Sequence, residues 1–119
     1  MIVLIERKGA LRVRRAELSD VCEAVYALTQ LIPVGYVTSY KSIASVLGVH
    51  PRVVALCLKH NKKVVVVPCH RVVYSSRRIG GYSLLGLSFK KKLLEIEGVV
   101  FEDDAVSPEH FIDISSLLR

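Results

Sequence analysis

The sequence predicts a mainly α domain with a small β element, a helix-turn-helix of winged-helix-like character. Three observations predict it. The chain has 119 residues, 51% of them hydrophobic and 24% charged, which suffices for one hydrophobic core and not for two domains. Apolar residues recur at helical spacing in successive stretches that are bounded by capping or breaking residues. Gly48 and Pro51 separate two of these stretches, which gives the short glycine turn of a helix pair.

The elements follow in chain order. Residues 1–18 read as a short N-terminal extension. Val3, Ile5, Leu11 and Val13 alternate loosely there, and a hairpin turns around Lys8 and Gly9. The main domain is read as residues 19–100. Ser19 is the expected N-cap of its first helix and Asp20 suits the first turn. Val21, Val25, Leu28 and Ile32 form the inward stripe, and Pro33 and Gly35 stop the helix. Thr38 or Ser39 caps a second helix with Ile43, Ala44 and Leu47 inward, which Gly48 ends. Pro51 opens a third helix that runs to about His60, with Val53, Leu56, Cys57 and His60 on one side. Val64 to Val67 reads as a buried extended segment stopped by Pro68. Val72 to Tyr74 is extended and Ser75 to Gly81 is a basic loop. Ser88 to Glu97 is a helix with Phe89, Leu93 and Ile96 inward and Gly98 as its cap. Residues 101–119 read as an acidic C-terminal tail, partly ordered through Phe101, Phe111, Ile112 and Leu117.

Charge is distributed unevenly. Residues 1–92 hold sixteen Lys and Arg against four Asp and Glu, and residues 93–119 hold one against seven. No acidic residue falls between Glu23 and Glu95, where eleven Lys and Arg lie. Solubility alone is served by interspersed signs, so this stretch predicts a surface that faces a polyanion, with nucleic acid first among them. The bland alternative is a solvated basic face. The apolar run from Val64 to Cys69 is too short to cross a bilayer. The opening Met-Ile-Val-Leu-Ile has no leading positive region, so a signal peptide is not expected. Three cysteines without a secretion signal read as reduced intracellular thiols.

Cys69 is the residue most suited to chemistry. It follows a stiff apolar segment and a proline, beside His70 and Arg71. A neighbouring base or cation favours the nucleophilic thiolate; a small core cysteine is the competing reading. Cys22 and Cys57 lie on inward helix faces and are expected to be core residues. A zinc site from Cys57, His60, Cys69 and His70 is disfavoured, because no Cys-x2-Cys pair exists and adjacent residues point apart. No metal and no cofactor is expected. His50 and His110 have no evident partner. Glu97 ends a helix, where its charge meets the negative end of the dipole and invites a partner such as His70.

Pro68-Cys69-His70-Arg71-Val72 resembles the active-site signature of the O6-alkylguanine-DNA alkyltransferases, the methylated-DNA–protein-cysteine methyltransferases. Thr38-Ser39-Tyr40 with Ile43-Ala44, Pro51-Arg52 with Val54, Asn61, Gly80-Gly81-Tyr82, and Lys90 to Gly98 fall in that family's order. The resemblance spans about residues 19–100 and implies the catalytic and DNA-binding domain. It implies single-turnover transfer of an alkyl group from O6-alkylguanine to Cys69 after base flipping. His70 would be the base through a water, Glu97 would polarise it, and Tyr40 would donate to the lesion base. Asn61 would brace the helix-turn-helix. Arg52 would fill the gap left by the flipped nucleotide, with its helix in the minor groove rather than the major one. Thr38, Ser39, Lys59, Ser75 and Arg77 would contact DNA, as Lys62 and Lys63 also could. Val72, Tyr82 and Ser83 would line the alkylguanine pocket.

The implied partner is double-stranded DNA carrying O6-alkylguanine, met by a monomer in the cytoplasm, or in the nucleus of a eukaryote, with no membrane. Two departures from the family stand out. Fewer than twenty residues precede the first matching helix, and the 82–87 loop is one residue longer and richer in leucine. A non-catalytic alkyltransferase-like lesion sensor or a helix-turn-helix regulator is the alternative. Such sensors replace the acceptor cysteine, commonly by tryptophan, whereas Cys69 is present here. A Cys-His hydrolase is a third reading, opposed by the helix-turn-helix and the acid-free stretch.

Overall fold

The computed structural model describes residues 2–7, 10–15, 17–62, 66–79 and 87–118. Strands β1 (Ile2–Arg7) and β2 (Ala10–Arg15) pair antiparallel, as the hairpin reading expects. Helix α1 spans Leu18–Thr29. Its cap is Glu17 rather than Ser19: the Asp20 carboxylate accepts the Glu17 backbone N–H at 2.8 Å, which satisfies an amide the helix cannot. The helix also stops at Thr29, one turn before Ile32. That residue stays buried in the turn that follows, so the inward stripe outlasts the helix.

Strand β3 (Thr38–Ser39) runs directly into α2 (Tyr40–Leu47). The Ser39 hydroxyl accepts the Ser42 amide at 2.9 Å and so caps α2. Gly48 ends it at φ 68°, with its N–H on the Ala44 carbonyl, a left-handed position that favours glycine. Helix α3 (Pro51–Lys59) follows after an angle of 111°, within the range of helix-turn-helix pairs. His50, which had no evident partner, is its N-cap: its Nδ1 accepts the Arg52 amide.

Cys22 and Cys57 form a disulfide between α1 and α3, which corrects the expectation of free thiols. Thirty-five residues separate them, and only the packing of α1 on α3 brings them together. The Tyr26 hydroxyl donates to the Cys57 carbonyl at 2.6 Å across the same contact. Val21, Val25, Ile32, Ile43, Ala44, Val54 and Leu58 complete this core.

The apolar segment before Pro68 departs from its expected form. Residues 64 and 65 lie outside the described residues, Val66 is exposed and Val67 is buried. Cys69–Arg71 then makes one 3-10 turn, and β4 (Val72–Val73) pairs in parallel with β3. Helix α4 (Leu87–Ile96) turns a different face inward than expected. Lys90 and Leu94 are buried, Phe89 and Leu93 are half-buried, and Ile96 is 76% exposed. Hydropathy assigns a lysine to solvent, whereas Lys90 is buried here.

The tail is part of the fold rather than an appendage. Strands β5 (Phe101–Glu102) and β6 (Ala105–Val106) form a hairpin. Val37 donates to the His110 carbonyl, and Ile112 donates to the Val37 carbonyl. Ile114 is fully buried in the main core, with its amide on the Ser42 hydroxyl at 2.7 Å. The packed body therefore extends past residue 100. Among the described residues, no single helix is long and apolar enough to cross a membrane.

Candidate active site

Cys69 is the free cysteine and is partly exposed. Its amide donates to the Val67 carbonyl at 2.7 Å. Asn61, just beyond α3, donates Nδ2 to that same carbonyl at 3.0 Å. One oxygen thus joins the end of the helix-turn-helix to the turn that carries the thiol.

His70 is fully buried. Its Nε2 lies 3.1 Å from Glu97 Oε2. Burial lowers the imidazole pKa, outweighing the opposite pull of Glu97, so the ring is neutral at neutral pH. A carboxylate only accepts, which places the ring proton on Nε2 and leaves Nδ1 as a lone pair. Nδ1 is buried without a hydrogen-bond partner among the described residues, an uncommon condition for such an atom.

Glu97 is held from two sides. Arg71 donates Nε to Oε1 at 2.9 Å and Nη2 to Oε2 at 2.6 Å, while its Nη1 donates to the Ile32 carbonyl. Burial acts to raise the Glu97 pKa. The hydrogen bonds from Arg71 and His70, with the Arg71 charge, overcome it and hold the carboxyl below its ordinary value. The sequence pairs Glu97 with His70 but does not identify Arg71 as the clamp. Its signal was a cation two residues after the nucleophile.

Tyr40 opens α2 and, like Cys69, packs against the main core. Its ring lies 5.7 Å from that of Tyr74. Burial above all, then Tyr74 and Cys69, pushes the phenol up to about 12. It keeps its proton at any physiological pH and can donate it.

Lys90 was missed as a site residue. It is 1% exposed, donates Nζ to the Val72 carbonyl at 2.7 Å and stands 5.8 Å over the Tyr40 ring. Burial draws its pKa down to about 8, against the pull of Cys69. Val72 is fully buried in β4, so Lys90 fixes the backbone expected to meet the alkylated base. Lys90 opens a run of three lysines, Lys90 to Lys92, and nothing in the sequence singles it out from the other two.

The residues expected on DNA divide. Arg52, in the first turn of α3, and Lys59, at its end, are exposed, as are Lys62 and Ser75. Thr38 and Ser39 are buried. The Thr38 hydroxyl donates to the Ile112 carbonyl and Ser39 caps α2, so both side chains serve the fold rather than an outer face. Arg77 spends Nη1 on the Val106 carbonyl at 3.0 Å and is half-exposed. Tyr82, Ser83 and Lys63 lie outside the described residues. Among the described residues no group of three His, Cys, Asp or Glu side chains is placed to hold a metal ion.

The model of the 6-O-methylguanine DNA methyltransferase DNA-binding domain matches residues 20–99. A methylated-DNA–protein-cysteine methyltransferase of Pyrobaculum aerophilum is 50% identical over 72 residues, covering 60% of this chain and 48% of that protein. The chain thus spans about half the length of that relative. The crystal structure of S. pombe Atl1 in complex with damaged DNA containing O6-carboxymethylguanine superposes at a TM-score of 0.69 and 28% identity. It covers 82% of this chain and 98% of that one. The Mycobacterium tuberculosis OGT in complex with DNA gives a TM-score of 0.62 at 30% identity, covering 88% and 58%.

Proposed function

The chain belongs to the 6-O-methylguanine DNA methyltransferase family through its DNA-binding domain, and from that premise we propose that it repairs O6-alkylguanine in duplex DNA by taking the alkyl group onto Cys69. The observation that carries the proposal is a free, partly exposed thiol beside a buried neutral imidazole whose other nitrogen is committed to a clamped carboxylate.

The lesion carries a saturated carbon bonded to oxygen, a soft electrophile suited to a thiolate. The Cys69 proton passes through a water to His70 Nδ1, and Glu97 stabilises the imidazolium that results. The Cys69 sulfur then bonds to the alkyl carbon as the bond from that carbon to O6 breaks. The guanine leaves as an anion, and Tyr40 donates a hydrogen bond or proton to it. Reprotonation from His70 closes the balance: the thiol proton ends on guanine and the alkyl group on sulfur. The thioether is stable to ordinary thiols, so each molecule acts once. The reacting atom is buried in a duplex, so the base must leave the stack. Arg52, exposed at the start of α3, is suited to occupy the gap by stacking.

The overlay on nearly all of Atl1 supports a second reading, a sensor that binds lesions without transfer. Intact mass after incubation with a duplex holding one O6-methylguanine separates the two. Repair adds one methyl in place of one hydrogen. Tight binding with unchanged mass selects the sensor.

A further inference from the structure

We infer that the exposed Tyr74 ring is a second aromatic wall of the lesion site, on which the extrahelical O6-alkylguanine stacks while Tyr40 binds its edge. The inference rests on the DNA-repair reading above. It concerns a residue that lies beyond the Pro68 to Val72 signature.

Placement carries the argument. Val72 and Val73 of β4 are fully buried, and the chain emerges at Tyr74, which is 50% exposed. A single exposed aromatic side chain needs no explanation by itself. This one lies against the candidate active site: its ring centroid is 5.7 Å from that of Tyr40, with 49° between the planes. Tyr74 and Cys69 both act to raise the Tyr40 pKa, so the exposed ring and the free thiol both lie within electrostatic reach of that phenol. The backbone beneath the ring is fixed. The Tyr74 N–H donates to the Arg78 carbonyl at 3.0 Å, and the Arg77 N–H donates to the Tyr74 carbonyl at 2.8 Å. The Val106 N–H in turn donates to the Arg77 carbonyl at 2.8 Å. A ring on a fixed backbone has only its own side-chain torsions left to order, so it binds at a small entropic cost.

The ring geometry decides how a base is held. A base stacks about 3.4 Å from an aromatic face, so two rings that clamp one base stand about 6.8 Å apart and nearly parallel. The Tyr40 and Tyr74 rings are too close and too tilted for that. Tyr74 therefore offers its open face to the base while Tyr40 offers its hydroxyl. Every base has a π face, so this contact adds affinity for the flipped nucleotide rather than for a sequence. Ser75, Ser76 and Arg78 are exposed on the same turn, and Arg78 supplies a cation there for phosphate.

The test compares Tyr74→Phe, Tyr74→Leu and Tyr74→Ala in the full chain. Second-order rates of single-turnover transfer are measured with a duplex carrying O6-methylguanine and with free O6-benzylguanine. Tyr74→Phe should keep both rates. Tyr74→Leu and Tyr74→Ala should lower both by about 5- to 150-fold, the loss expected for one base–aromatic stack. Their melting temperatures and their affinity for undamaged duplex should match the wild type. Wild-type rates in Tyr74→Leu overturn the inference, because bulk alone then suffices. A loss in Tyr74→Phe overturns it as well, because the hydroxyl is then the contact. Losses confined to the duplex substrate, or losses that follow a lowered melting temperature, assign Tyr74 to the DNA backbone or to the fold and also overturn it. Each of these results leaves the repair reading intact. A wild-type protein that transfers nothing overturns that reading and the inference with it.

Discussion

Glu97 illustrates how one side chain sets the chemistry of another. It fixes the His70 proton on Nε2 while Arg71 keeps the carboxylate ionised. Glu97→Gln should slow single-turnover transfer on the order of 10²-fold while leaving DNA affinity nearly unchanged. Equal rates for the two proteins would remove the relay. Lys90 gives a pH-dependent prediction. Its pKa falls from 10.5 to about 8 on folding, so between those values the unfolded chain binds more protons. Stability from this residue therefore rises with pH across that window, by about 3 kcal/mol in all. Thermal melts of the wild type and Lys90→Met, compared from pH 7.5 to 10.5, should converge on this rise being absent in the variant. The context of Cys69 and the pairing of Glu97 with His70 are legible from residue types and helix position, whereas Tyr40 and Asn61 enter only through the resemblance. Arg71 and Lys90 are not legible, because a cation near an anion or inside a core is seen only when distant elements meet.

At the scale of elements, the helix-turn-helix was legible because its boundaries are local. Ser39, Gly48 and Pro51 each start or stop a helix by their own chemistry. The inward face of α4 was not legible, since it depends on what Lys90 meets in β4. The same holds for the Cys22–Cys57 link between α1 and α3. Closing a loop of that size stabilises a fold by roughly 3–4 kcal/mol. Cys22→Ser should lower the melting temperature by roughly 10 °C or more, and denatured, unreduced wild type should show one titratable thiol. Three thiols would contradict the link. Arg52 belongs to this scale as well. Arg52→Ala should impair repair of duplex lesions far more than reaction with free O6-benzylguanine, which needs no flipping. Matching losses in the two single-turnover rates would make Arg52 a support of the fold or pocket instead.

For the molecule as a whole, the acidic C-terminal segment completes the core that the basic segment begins. Ile114 is buried with Val25, Ile43 and Val72, and Val37 is bonded on both sides by the segment around Phe111. The boundary expected at residue 100 followed the span of the resemblance and the charge changes sign after Lys92, but packing ignores both. Truncation after Gly98 should abolish cooperative unfolding, as followed by circular dichroism. A cooperative melt near the wild-type midpoint would show the tail to be dispensable. The central claim concerns one sulfur atom among three. After reaction with a duplex carrying O6-methylguanine, peptide mapping by mass spectrometry should place the methyl on Cys69 alone, and Cys69→Ser should carry none. A methyl on Cys22 or Cys57, or transfer that survives Cys69→Ser, would contradict the account.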